Sequence, residues 1–305
     1  MLIAAIEAGG TKFVCGLLES SGPERDRPGI IERAVVPTTT PAETLRSSAE
    51  FFRAASERTG QGKPDALGIG CFGPVDLRPG SPSYGSITAT PKPGWRNTDI
   101  VGYFGRELEL RAAFDTDVNA AAYGEYLWGA ARGAKDFIYL TVGTGIGGGV
   151  FSNGLLVHGL GHPELGHVKI RREDGDSYEG ACPFHRDCLE GMASGPAIAA
   201  RWGTRAEDLG PDHPAWELEA RYLAKALACY ALVLSPELIL LGGGVGLRPG
   251  LAERVSALVG EELAGYVPPL AEPKRLRAFV ARPSLGQDAG LYGAAALALR
   301  DRRHD

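Results

Sequence analysis

The chain has 305 residues, 44% of them apolar, which is enough for two domains of ordinary size or one large one, each with a sizeable core. With 32 basic against 37 acidic side chains the net charge is −5; no basic face is offered to nucleic acid, and any phosphate must be held by local geometry. The opening run Met1–Ile6 has no basic flank and meets Glu7 early, unlike a signal peptide, and no apolar stretch reaches the roughly 18 residues of a membrane span, so a cytoplasmic address is expected.

Leu2–Glu7, Phe13–Glu19 and Ile30–Val36 are β-rich apolar runs separated by Gly and Pro turns, and they read as strands. A helix is predicted from Pro41, with Thr40 as N-cap and Glu43 completing a capping box; Leu45, Phe51, Phe52 and Ala55 supply its apolar face. Ala66–Phe72 returns to strand and 97–110 reads as helix. Ala112–Phe114 is a short strand that ends in an acidic loop, Asp115-Thr116-Asp117.

The second half repeats this logic. Phe137–Val142 and Gly148–Phe151 are predicted strands joined by a glycine loop. His213–Leu234 is a long helix, Glu237–Leu241 a buried strand, and helices follow near 250–263 and 289–300. Each half opens with strand, glycine turn and strand, a weak internal repeat with its boundary near residue 117. The polar segment 171–188 has no secondary-structure pattern, and a loop of that length needs a staple or a function.

Three predicted strands run straight into glycines: Gly9-Gly10-Thr11-Lys12, Gly143-Thr144-Gly145 and onward to Gly149, and Leu241-Gly242-Gly243-Gly244-Val245. Glycine lets successive backbone N–H groups converge on phosphate oxygens, and Thr11 or Thr144 adds a hydroxyl donor. Each loop alone is equally a tight β-turn, and none matches the P-loop or dinucleotide spacing. Three of them together suggest a nucleotide. Asp117 stands before an Ala-rich helical run, where a carboxylate is either a helix cap or an acid–base group.

Five cysteines, an odd number, do not make a disulfide framework in a chain this long. Cys182, His185 and Cys188 are spaced Cys-x2-His-x2-Cys, and His167 upstream supplies a fourth ligand for a closed zinc site, with His162 competing for that place. Cys15, Cys71 and Cys229 lie in apolar runs and are expected in the core.

These segments, in this order, resemble the ROK sugar kinases, and among them the bacterial fructokinases. The resemblance is carried by Ile6–Lys12, Phe72-Gly73-Pro74-Val75-Asp76, Thr90–Trp95 and Asp115-Thr116-Asp117-Val118-Asn119. It continues through the 143–149 loop, Gly161–His167, Cys182–Gly191, Ser194-Gly195-Pro196-Ala197 and the 241–246 loop. It implies an α/β, two-lobed actin-like and hexokinase-like (ribonuclease H-like) fold with a cleft between an N-terminal lobe, 1–116, and a C-terminal lobe, 117–305, whose last helix could return to the first.

It also implies transfer of a phosphoryl group from ATP to a hexose hydroxyl, D-fructose to fructose 6-phosphate, with Mg²⁺ as catalytic and Zn²⁺ as structural ion. Asp117 would be the base. Gly73, Asn119, Glu164, His167 and Glu190 would bind sugar. Gly9 to Lys12, Thr144, Gly145, Pro196 and Leu241 to Val245 would bind nucleotide. His167, Cys182, His185 and Cys188 would bind zinc. A homodimer without nucleic-acid or membrane partners is implied. Three positions depart from the family pattern: Glu7 replaces Asp, Thr116 replaces Asn, and Arg186 replaces Gly. Glucose, mannose or an N-acetylhexosamine is the alternative substrate. A sugar-sensing repressor without its DNA-binding domain, or an idle sugar binder, is the alternative class; the acidic balance and Asp117 speak for the enzyme.

Overall fold

The computed structural model describes residues 1–21 and 26–301. The chain divides into two compact units: Met1–Arg132 with His158–His162 and the segment from Ser284 onward, and Gly133–Val157 with Pro163–Pro283.

The first unit begins with β1 (Leu2–Ala8), β2 (Lys12–Glu19), β3 (Gly29–Pro37), α1 (Pro41–Thr59), β4 (Ala66–Cys71), α2 (Ile100–Leu108), β5 (Ala112–Thr116) and α3 (Asp117–Trp128). The second contains β6 (Phe137–Val142), β7 (Ile146–Ser152), β8 (Leu155–Leu156), α4 (Leu189–Ala193), α5 (Gly195–Trp202), α6 (Ala215–Leu234) and β9 (Leu238–Gly242). It closes with α7 (Gly243–Gly246), α8 (Leu251–Leu263), α9 (Pro268–Ala271), α10 (Pro273–Phe279) and β10 (Val280–Ala281). The chain then re-enters the first unit as α11 (Ala289–Asp301).

The first sheet has the order β3-β2-β1-β4-β5 and the second, read in the same sense, β8-β7-β6-β9-β10. Pairing matches strand for strand: β1/β2 and β6/β7 are antiparallel, while β1/β4, β4/β5, β6/β9 and β9/β10 are parallel. The repeat suspected from the glycine turns is thus a repeat of topology. The central strands β1, β4 and β6 are buried almost throughout, the fate of apolar runs covered on both faces.

The domain boundary expected at residue 117 does not coincide with this division. Helix α3 lies in the first unit because its Ala- and Gly-rich face packs on α11. A Cβ on Gly293 would stand 2.0 Å from the Ala120 carbonyl oxygen, and one on Gly68 1.8 Å from that of Ala294. Only glycine lets α11 lie this close to α3 and to β4.

Other boundaries move for local reasons. The predicted 97–110 helix shortens to α2 because Asn97 (φ 61°) and Glu109 (φ 57°) are left-handed, and Asp99 caps it through the Gly102 N–H at 2.6 Å. Strand β5 runs on through Asp115 and Thr116, where a loop was expected. Thr40 caps α1 as predicted, accepting from the Glu43 N–H at 3.4 Å. Cys15 and Cys71 are buried, but Cys229 is exposed: it lies on a face of α6 that the core does not cover. Among the described residues no helix is long and apolar enough to cross a membrane.

Candidate active site

Strand β5 delivers Asp117. Its last residue, Thr116, is the cap of α3 and accepts the Asn119 N–H at 3.0 Å, so Asp117 falls on the first helical position and is not needed as a cap. Its carboxylate accepts the Val118 N–H at 2.9 Å. Burial pushes its pKa up to about 6, against the pull of that N–H. At the end of β1, Glu7 is raised to about 7, first by burial and then by the charge of Asp117. A Cβ on Gly290 would stand 2.3 Å from the Glu7 carboxyl carbon, so a glycine at the start of α11 makes room for this side chain. Two carboxylates whose proton affinity is raised in this way are hard oxygen donors, the set that suits Mg²⁺.

Asp115, fully buried beside this pair, accepts from Asn119 Nδ2 at 2.7 Å and faces His158 Nε2 at 2.9 Å. Asn119 is itself buried, and its Oδ1 has no protein partner, which leaves an acceptor for a ligand hydroxyl. His158 and the buried Asp115 were missed in the sequence. They are 43 residues apart, and no local spacing joins them. Gly73 lies in the same unit, where an added Cβ would meet the Val75 nitrogen at 3.2 Å and the His162 ring at 3.5 Å. His162 Nε2 accepts the Val75 N–H at 3.2 Å and stands outside the metal cluster, which removes it as the fourth ligand. Gly9 to Lys12 form the β1–β2 turn, closed by Gly9 N–H to Lys12 O at 3.0 Å, with Gly10, Thr11 and Lys12 exposed.

In the second unit His167, Cys182, His185 and Cys188 converge, with their ligand atoms within 4.8 Å of one another. His167 Nδ1 lies 3.8 Å from Cys182 Sγ and 3.6 Å from Cys188 Sγ, and His185 Nδ1 lies 3.8 Å from Cys182 Sγ. A zinc tetrahedron with its usual Zn–S and Zn–N lengths has an S–N edge of roughly 3.6 Å, so the donor set fits that ion. Burial above all pushes the Cys188 thiol up to about 11, a cost that a bound cation would offset. The knuckle is tight: Cys182 and Arg186 exchange backbone hydrogen bonds, and Arg186 takes φ 55° with its side chain in solvent on Glu179. The departure from glycine there is met by a left-handed arginine facing outward.

The 171–188 loop has a second staple that the sequence did not reveal. Arg201, nearly buried, pairs with Asp176 at 3.0 Å and stacks on Tyr178 at 4.6 Å, while Tyr222 Oη donates to Asp176.

Two expected sugar residues adjoin the metal cluster in sequence. Glu164 is exposed, and its carbonyl accepts the His167 N–H at 3.0 Å. Glu190, two residues after Cys188, accepts the Ile146 N–H at 2.9 Å, which ties it to the glycine loop. With Nδ1 of His167 toward the thiols, its Nε2 is left for a hydroxyl.

A cavity of about 760 Å³ opens in this unit, and Thr144, Pro196, Gly244 and Val245, four of the residues expected to bind nucleotide, line it. Leu241 and Gly242 are buried in β9 and stay behind it. Gly243, at φ 82°, makes the turn into α7; a Cβ there would stand 2.4 Å from the Val142 carbonyl oxygen. Beside Gly145 the space is filled by Glu190. Trp216 and Arg248 also line the cavity, from elements that no motif connects.

A ROK family model matches residues 3–301. The chain is 43% identical to a fructokinase of Zymomonas mobilis over 98% of its own length and 96% of that protein's, and 39% identical to a fructokinase of Pediococcus pentosaceus over 98% of both. A ROK hexokinase from Thermus thermophilus superimposes with a TM-score of 0.78 at 28% identity over the whole of both chains. A ROK family glucokinase from Streptomyces griseus, solved with glucose and AMPPNP, gives 0.74 at 25% identity over 98% of this chain and all of that one. The fold is the two-lobed, actin-like one. The chain belongs to the ROK family.

Proposed function

We propose that this protein is an ATP-dependent hexose kinase that converts D-fructose to fructose 6-phosphate. The observation that carries the chemistry is Asp117: a carboxylate spared from capping and held by burial with a proton affinity near neutrality. Fructose is drawn from the two named fructokinases at about 40% identity.

As the sugar oxygen bonds to the γ-phosphorus, Asp117 takes the hydroxyl proton and ADP leaves with the broken P–O bond's electrons. Glu7 beside it supplies a second carboxylate; these two would help hold Mg²⁺, which would supply positive charge to offset that of the phosphoryl group. In the first unit Asn119 Oδ1 would accept from a sugar hydroxyl and Gly73 would offer bare backbone to the ring; in the second, Glu164, the Nε2 of His167 and Glu190 would accept from or donate to sugar hydroxyls. In the first unit the Gly9–Lys12 turn, and in the second Thr144 with Gly145, Pro196 and the Gly243–Val245 turn, backed by Leu241 and Gly242, are the segments that would bind the nucleotide's phosphates.

Zinc held by His167, Cys182, His185 and Cys188 would fill a closed set and so take no part in the transfer; it would pin the 171–188 loop, two residues before Glu190. The reading includes a cytoplasmic homodimer without nucleic-acid partners, which sedimentation of the purified protein checks.

The test is ADP release with a sugar panel. Fructose should exceed glucose, mannose and N-acetylmannosamine in kcat/KM by at least about tenfold. Preference for another hexose would replace the substrate, and no turnover with any sugar would remove the kinase.

A further inference from the structure

The cavity of the second unit has an end that the phosphate-binding argument does not use. Arg248 follows α7, and its guanidinium lies 3.8 Å from the centroid of the Trp216 ring. Trp216 Nε1 donates to the Gly210 carbonyl oxygen at 2.9 Å, and Arg248 Nη2 donates to the same oxygen at 3.0 Å. One carbonyl thus holds both planar groups in register. A guanidinium stacked on an indole keeps a second flat face, and both residues line the cavity.

The surroundings are poor in groups that could read a base edge. Ala199, Val245, Leu247 and Pro249 are apolar neighbours. Arg205 and Glu207 are exposed and pair with each other. Four nearby carbonyls are engaged: Arg205 O accepts from Asp208 N, Ala206 O from Leu209 N, Leu247 O from Arg282 Nη2 and Arg248 O from Leu251 N.

Adenine and guanine share their π-face, ribose and phosphates but differ along one edge, an amino donor against a carbonyl acceptor at C6 and a bare against a protonated N1. Strong discrimination needs a buried group that the wrong base would leave unpaired. Apart from Arg248 itself, the charged side chains lining this end, Arg205 and Glu207, are exposed, and an exposed group discriminates weakly because water replaces the partner it loses. Stacking, by contrast, tolerates any base.

We propose that Arg248, backed by Trp216, is the base platform of this cavity and holds the purine by its face, so that GTP and ITP serve as phosphoryl donors alongside ATP. The inference rests on the nucleotide reading above and adds that the base is selected weakly. The transfer itself is unchanged: the γ-phosphoryl passes to the sugar oxygen, Asp117 takes the proton and the nucleoside diphosphate leaves.

The experiment has two arms: calorimetric Kd values for ADP, GDP and IDP, and initial rates with fructose and ATP, GTP or ITP. Both should agree across the three purines to within about tenfold. Arg248→Ala should weaken all three by about tenfold and leave the KM for fructose unchanged. Arg248→Lys, which keeps the charge without the flat face, should weaken them as much. A preference for ADP and ATP above about 100-fold would overturn weak selection. Full affinity in Arg248→Lys would overturn the platform, since charge alone would then suffice. Failure of all three diphosphates to bind would remove the nucleotide reading itself, and the platform with it.

Discussion

Glu190 Oε2 accepts the backbone N–H of Ile146 at 2.9 Å, two residues along the chain from Cys188. One carboxylate therefore links the proposed zinc knuckle to the strand that leaves the glycine loop. Purified protein should carry about one zinc per chain. Cys182→Ser should lose it and raise KM for both fructose and ATP, because Glu190 loses its anchor toward each. Glu190→Ala, which retains all four metal ligands, should keep zinc yet raise both KM values, since it leaves the Ile146 N–H without its acceptor. Elemental analysis showing full zinc in Cys182→Ser would refute the ligand set, and unchanged KM values without zinc would break the link to the pocket.

Asp117→Asn should lower kcat by at least about 10²-fold while KM for fructose stays within a few-fold, the signature of a group that acts in the transition state. With the free-enzyme carboxyl at about 6, kcat/KM of the parent should fall as pH drops through 6. The same shift has a stability consequence. The folded carboxyl binds its proton more tightly than the unfolded one, near 3.8, so its contribution is present at low pH and is lost as pH rises through 6. At pH 7 without magnesium, Asp117→Asn should therefore have a higher Tm than the parent. A lower Tm together with near-normal turnover would make Asp117 a structural residue.

Gly290→Ala places a methyl where the Glu7 carboxyl now lies, 2.3 Å from its carbon. Glu7 must move. The expected result is a several-fold higher Mg²⁺ concentration for half-maximal rate with fructose binding preserved. An unaltered Mg²⁺ titration would detach Glu7 from the metal.

Arg186 holds φ 55° inside the Cys182–Cys188 knuckle, and its exposed side chain pairs with an exposed Glu179. Glycine removes the Cβ that makes the left-handed conformation costly, while an exposed ion pair contributes little. Arg186→Gly should slow zinc loss to a chelator by roughly two- to fivefold, about 0.5–1 kcal/mol. Arg186→Ala, which keeps a Cβ, should not. Equal rates in parent and Arg186→Gly would show that the strain is absorbed elsewhere.

The sequence alone settled what is chemically local. The Cys-x2-His-x2-Cys spacing, the Thr40-Pro41-Glu43 cap and the glycine turns after β1, β6 and β9 act within a few residues, where backbone geometry leaves little freedom. Whole-chain motif order was enough to indicate the family and, with it, the fold. Tertiary structure decided the rest, because the partners come from distant elements. Asp115 meets His158 across 43 residues, Glu190 meets Ile146 across 44, and Arg248 meets the Gly210 carbonyl across 38. The assignment of α3 to the first unit follows from a close approach to α11, which begins some 160 residues after α3 ends. Cys229, apolar in its sequence context, is exposed because the described residues leave that side of α6 uncovered. Local propensity decides how a segment folds on itself; which far segment it meets depends on packing that no short window of sequence contains.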